Sequence, residues 1–120
     1  MQRRMNEGTL EILDDGQNVV LSIRETLEDQ VMTIAVSGKI KNDVAHEFED
    51  ELMAGLSVCP KLMIDLTQTD YIASMALRSL LSVQQMMDNM DDTVMTLRIS
   101  PEIKAVFEES GFMDILNIEE

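Results

Sequence analysis

Residues 62–81 read LMIDLTQTDYIASMALRSLL, and the fold turns on this stretch. Leu62-Met63-Ile64-Asp65-Leu66 is an almost continuous apolar run, the pattern of a strand covered on both faces. Thr67–Ile72 carries polar and turn-tolerant residues and is expected to be a short loop. From Ser74 the period becomes helical. At about 100° per residue, Ala76, Leu77, Leu80, Leu81, Val83 and Met87 share one face, with Gln84 as a polar intruder. The opposite face collects Met75, Arg78, Ser79, Ser82, Met86 and Asn89. A strand that feeds such a helix delivers its N-terminus to the C-terminal edge of a sheet, where α/β domains bind their ligands.

On the N-terminal side, Val31-Met32-Thr33-Ile34-Ala35-Val36 is rich in strand formers and ends at Ser37-Gly38. With Val19–Thr26 and a turn at Leu27–Gln30 it reads as an antiparallel hairpin. Lys41-Asn42-Asp43 offers N-cap chemistry for a helix over Asp43–Leu56, whose buried stripe is Val44, Phe48, Leu52, Gly55 and Leu56. Residues 1–18 are polar and broken by Gly8 and Gly16; within them Leu10–Leu13 is a short strand or a turn of helix. They stand as an N-terminal extension, with one domain over residues 19–120.

On the C-terminal side, Thr93–Ile99 alternates as a strand. Ser100-Pro101 then starts a helix with a capping hydroxyl and a proline at the first position. Ile103, Val106 and Phe107 supply its stripe, Gly111 its stop, and Phe112 packs back on its end. Ile115–Ile118 is a terminal strand candidate. Strands alternating with helices require parallel pairing through right-handed crossovers. The expected class is therefore α/β: a small mixed sheet opened by an antiparallel hairpin and continued by β-α-β-α-β-α units.

Composition narrows the function. The chain has 120 residues, 23 acidic and 9 basic, for a net charge of −14. Such a surface repels phosphate backbones and anionic lipid, so neither nucleic-acid binding nor membrane association is expected. No run of about 18 apolar residues is present to insert in a bilayer. Cys59 is the single cysteine, which excludes an internal disulfide and suits a reducing, cytoplasmic setting. Eleven methionines against three Phe, one Tyr and no Trp favour adaptable packing, in the core or on a binding surface.

Catalytic chemistry lacks its constellation. His46 is the only histidine and lies in an acidic helix beside Asp50; Cys59 precedes a proline in an ordinary connection. The five glycines are scattered, and metal-ligand spacing is missing, so no cofactor and no metal are expected.

Three segments carry a resemblance. They are Val36-Ser37-Gly38-Lys39-Ile40 ahead of Asn42 and Asp43; Met63–Leu66 with Tyr71–Leu81; and Ile99-Ser100-Pro101-Glu102-Ile103 with Phe107 and Ser110-Gly111-Phe112. In this order and spacing they resemble a STAS domain, the fold of bacterial anti-sigma-factor antagonists. The resemblance implies a non-enzymatic protein-interaction module, a regulator of transcription whose partner is a kinase-like anti-sigma factor. In switched members the loop before the helix reads Asp-Ser-Ser-Gly-Leu, and its second serine is phosphorylated by that partner. Here the run is Ala73-Ser74-Met75-Ala76-Leu77. Met75 stands at the phospho-acceptor position and has no hydroxyl, while Ser74 is expected to serve as the helix N-cap rather than as a phosphosite. The expected contact patch is Ser74, Met75, Arg78, Ser79 and Ser82, aided by the acidic first helix. Phosphate would bring a charge of about −1.5 to −2 into that contact. Met75 cannot acquire it.

Two other readings remain open on the sequence. One is an accessory subunit of a transporter or of a larger signalling assembly; the other is nucleotide binding or catalysis. The resemblance also implies a further helix after the last strand, which this chain does not show before Glu120. A sheet face or helix flank is then expected to be closed by residues 1–18 or by a second copy, as a homodimer.

Overall fold

Three β-strands that are neighbours in both sequence and sheet, linked by helices of one hand, place those helices on a single side. The computed structural model, which describes residues 1–119, has this arrangement. Its strands are β1 (Gln2–Asn6), β2 (Thr9–Leu13), β3 (Val19–Glu28), β4 (Val31–Ile40), β5 (Lys61–Ile72) and β6 (Val94–Ile99). They form one sheet in sequence order: β1 to β4 pair antiparallel, and β4–β5 and β5–β6 pair parallel. Helices α1 (Ala45–Val58) and α2 (Ser74–Asp88) make the two parallel crossovers, and α3 (Pro101–Ser110) follows β6. The mixed α/β architecture expected from the sequence is the one observed.

The hairpin of β3 and β4 forms around a turn at Asp29 and Gln30, both with positive φ. Leu21, Ile23, Met32, Ile34 and Val36 face the helices and are buried. Phe48 and Leu52 of α1 and Ile103 and Phe107 of α3 close the core over them with no exposed surface. Burying each such side chain is worth about 1.5–3 kcal/mol. Residues 2–13 form β1 and β2 and extend the same sheet outward from β3. Arg3 clasps this hairpin to α1 through Glu47, at 2.8 Å, and Glu51.

Four expectations need correction. Leu62, Ile64 and Leu66 are buried, but Met63 and Asp65 are only half-buried, so β5 is covered on one face rather than two. The reason is the shared hand of the crossovers, which sends every helix to the same side.

Thr67–Ile72 is strand, not loop. It stays paired with β4 from Ser37↔Gln68 to Ile40↔Ile72, after one register shift and across a second. Thr69 is buried there, its Oγ1 donating to the Val36 carbonyl at 2.8 Å. Side-chain hydrogen bonds of this kind let a polar segment remain in the sheet.

The helix expected over Asp43–Leu56 runs instead over Ala45–Val58. A 3₁₀ turn at Asn42–Val44 precedes it, and it has no side-chain cap. The expected last strand, Ile115–Ile118, is reduced to a single parallel bridge between Leu97 and Ile118, held by Leu97 N–Asn117 O and Glu119 N–Leu97 O bonds of 2.9 and 2.7 Å.

The last helix follows its sequence signals closely. Ser100 Oγ accepts from Ile103 N at 3.2 Å, Pro101 occupies the first position, and Gly111 adopts φ 79°. Phe112 stacks against Phe107 with ring centroids 6.1 Å apart.

Candidate functional site

The corner where β5 becomes α2 is set by three backbone bonds. Ala73 N donates to Ile40 O at 2.8 Å, tying the chain to the end of β4. The Ala73 carbonyl then accepts from Ala76 N and Leu77 N, each at 3.0 Å, and starts the helix. Ala73 is thus the N-cap, in an extended conformation, with no side-chain cap bond. The expectation that Ser74 caps α2 is corrected: Ser74 is the first helical residue and its side chain is exposed. Because β5 continues without a loop to Ile72, the helix starts at the earliest residue free of the sheet, and that residue is Ser74.

A helix start leaves four N–H groups without partners inside the helix. One of them, Met75 N, donates to Asn42 Oδ1 at 3.4 Å, a long bond. Asn42 therefore serves α2 across space and not α1 along the chain. A polar side chain beside a helix-like pattern offers no signal of which helix end it will meet. The sequence could not assign it.

The side chains of α2 divide as the period predicts, with one exception. Ala76, Leu77, Leu80, Val83 and Met87 are buried. Met75 is 49% exposed and Met86 42%, and Arg78 and Ser82 are exposed between them. At spacings of three and four residues these four make one stripe down the helix. Ser79, expected in the contact patch, is buried at 7%. Its Oγ turns back to the Met75 carbonyl at 3.1 Å, the bond that satisfies a hydroxyl within a helix. Tyr71, absent from the expected patch, is 46% exposed at the mouth of the corner. It belongs to the irregular end of β5, past the register shift at Gly38/Lys39, where Asp70 and Tyr71 are exposed in succession. Two thioethers on one stripe with Arg78, which has no ion partner within 4 Å among the described residues, are equipped to bury against a protein surface.

Beside this corner, at the C-terminal ends of β4 and β5, a groove of about 470 Å³ is lined by Lys39, Lys41, Asp43 and Asp70 among others. Lys39 and Asp70 pair at 3.4 Å and both remain more than half exposed. Water screens such a pair, so it fixes little. The groove brings a mixed charge rim to the helix start and no nucleophile–base pair. His46 and Cys59 lie at opposite ends of α1, about 20 Å apart at 1.5 Å per residue. Cys59 Sγ instead donates to Gln30 O or Lys61 O at 3.2 and 3.3 Å, inside the protein.

A family model described as "Mlab, STAS domain" matches residues 23–117. The chain is similar to BtrV of Bordetella bronchiseptica, named as a candidate anti-sigma factor antagonist, with 28% identity over 91 residues, 75% of this chain and 78% of that protein. Among solved structures, an anti-sigma factor antagonist from Mycobacterium paratuberculosis superposes with a TM-score of 0.73 at 20% identity, covering 82% of this chain and 84% of the other. A crystal structure of the Thermotoga maritima protein TM1081 gives 0.73 at 15% identity, covering 82% and 86%. At such identities the structural likeness is a likeness of fold.

Proposed function

The chain belongs to the STAS domain family, and we propose that it works as an anti-sigma-factor-antagonist-like module that docks through the start of α2 without a phosphorylation switch. The observation that carries this reading is Met75. It stands in the first turn of α2, half-exposed and directed away from the core, at the corner where β5 hands over to the helix. Ser74, Arg78 and Ser82 surround it as polar contacts, and Ser79 holds the helix backbone from within.

A thioether buried at an interface contributes by desolvation and adaptable packing. A carboxylate or phosphate at the same spot would have to be desolvated without a partner, which is costly. The partner is a kinase-like anti-sigma factor, and the acidic outer side of α1, with Glu49 and Asp50, favours a basic surface on it. Engagement is then independent of phosphorylation, because the position has no hydroxyl to modify. No described helix is long and apolar enough to cross a membrane.

The test is a titration of an anti-sigma kinase partner by calorimetry with wild type and Met75→Glu, each with and without ATP. The expected result is wild-type binding that ATP leaves unchanged and an affinity at least about tenfold weaker for Met75→Glu, about 1.4 kcal/mol. Equal affinities for the two proteins would remove Met75 from the contact. A transporter or signalling-assembly subunit as the specific ligand, with no anti-sigma partner bound, would replace the antagonist reading by the accessory-subunit one.

A further inference from the structure

We propose that two copies of this chain associate through the sheet face that carries no helix, about a two-fold axis running along β4. The inference is independent of the docking role of α2, which lies on the other side of the sheet. The buried core takes Leu21, Ile23, Met32, Ile34, Leu62, Ile64, Met95 and Leu97, all of one strand parity. Residues of the other parity face outward: Thr33 and Ala35 on β4, Met63 on β5 and Thr96 on β6 are half-buried by their neighbours alone.

Charge separates this face from the rest of the molecule. By register its strands present Arg4, Arg24, Lys61 and Arg98 against Glu11, Glu28 and Asp65, and Glu119 joins them through Arg98, four basic groups to four acidic. The chain as a whole is at −14, so all other surfaces taken together repel a second copy. This one does not.

The arrangement of those charges names the occupant. Arg4 pairs with Glu11 at 2.8 Å and Arg98 with Glu119 at 3.1 Å within the same chain. Arg24, Glu28, Lys61 and Asp65 have no ion partner within 4 Å among the described residues. Asp65 uses Oδ1 for Thr67, whose N and Oγ1 donate at 3.0 and 2.6 Å.

The four unpaired groups flank β4 at matching levels. Arg24 of β3 and Asp65 of β5 both lie opposite Ala35. Glu28 lies opposite Val31, and Lys61 stands one position before the Leu62↔Met32 pair, at the same level. A two-fold axis along β4, midway between facing sheets, preserves each level and exchanges β3 with β5. It sets Arg24 against Asp65 of the second copy and Glu28 against Lys61 of the second copy, each twice. Val31, Thr33, Ala35 and Ser37 then meet their own symmetry mates, and small residues there allow the roughly 10 Å spacing of packed sheets. An acidic or a basic partner would satisfy only half of this set.

Strand spacing and rise put the face at on the order of 600 Å² per copy. That is the low end for a specific interface, and a dissociation constant of roughly micromolar order is expected.

The experiment is mass by sedimentation equilibrium on the full chain, from about 1 to 200 µM, at low and high salt. Twice the chain mass is expected at the upper concentrations, with dissociation promoted by salt. Arg24→Asp and Asp65→Arg are each expected to weaken the dimer at least about tenfold, and the double variant to restore it. Glu28→Lys and Lys61→Glu form a second reciprocal pair that reads the same geometry should either of the first variants lose its circular dichroism. A wild type that stays at chain mass through 200 µM overturns the proposal. So does a dimer indifferent to the single reversals, or one that the reciprocal reversals do not rescue.

Discussion

Gly38 sits in β4 where the ladder to β5 shifts register, at φ 117°. A Cβ there would lie 3.1 Å from the Val20 carbonyl oxygen, which belongs to the neighbouring strand and cannot move aside alone. Conformation and crowding act in the same direction. Gly38→Ala is expected to cost about 1–3 kcal/mol, read as a lower urea midpoint at unchanged slope. A midpoint equal to wild type would show that the bulge relaxes freely. The same bulge directs the end of β4 to the start of α2, where Ile40 O receives Ala73 N. A residue remote from Met75 in sequence therefore sets the platform from which Met75 projects.

The helices differ in what starts them. α2 has no capping side chain of its own and relies on Asn42 and on the packing of Ala76, Leu77 and Leu80. α3 has Ser100, whose Oγ donates to Thr69 O at 2.6 Å while accepting from Ile103 N. That hydroxyl joins the irregular end of β5 to the first turn of α3. Ser100→Ala removes the cap and leaves a buried carbonyl without its donor, an expected loss of about 1–2 kcal/mol. Chemical denaturation should show it, and Ser100→Thr should recover most of it. Full stability in Ser100→Ala would mean that water replaces both bonds.

Over the whole molecule, the excess of carboxylates produces one local conflict. Glu25 on β3 is pushed above the ordinary carboxylate range, first by burial and then by the hydrogen bond and charge of Glu51. Glu51 is itself held by Arg3, so one guanidinium serves a crowded acidic corner under the N-terminal hairpin. A carboxyl whose pKa is higher folded than unfolded favours the fold when protonated. That contribution is complete below about pH 4.5 and lost as pH rises through the raised value. At neutral pH the ionised Glu25 works against the structure. Glu25→Gln is accordingly expected to raise the melting temperature at pH 7, with the gain shrinking as pH falls towards 4. Thermal scans at the two pH values check it, and a gain that persists at pH 4 would assign the effect to something other than ionisation.

From β3 to α3 the order of elements, together with the α/β class and the ends of α3, was legible in the sequence, because each rests on local chemistry: strand formers, a helical period, Ser-Pro at a start and a left-handed glycine at a stop. The outward placement of Met75, Arg78 and Ser82 followed from that same period. What only the tertiary structure decided depends on partners distant in the chain. Pairing with β4 turned the polar run Thr67–Ile72 into strand, moved the cap of α2 from Ser74 to Ala73 and brought Asn42 across to Met75. The common hand of the crossovers bared one face of the sheet and left Asp65 and Arg24 at its surface. Hydrogen-bond register and handedness belong to the assembled sheet, and no window of sequence contains them.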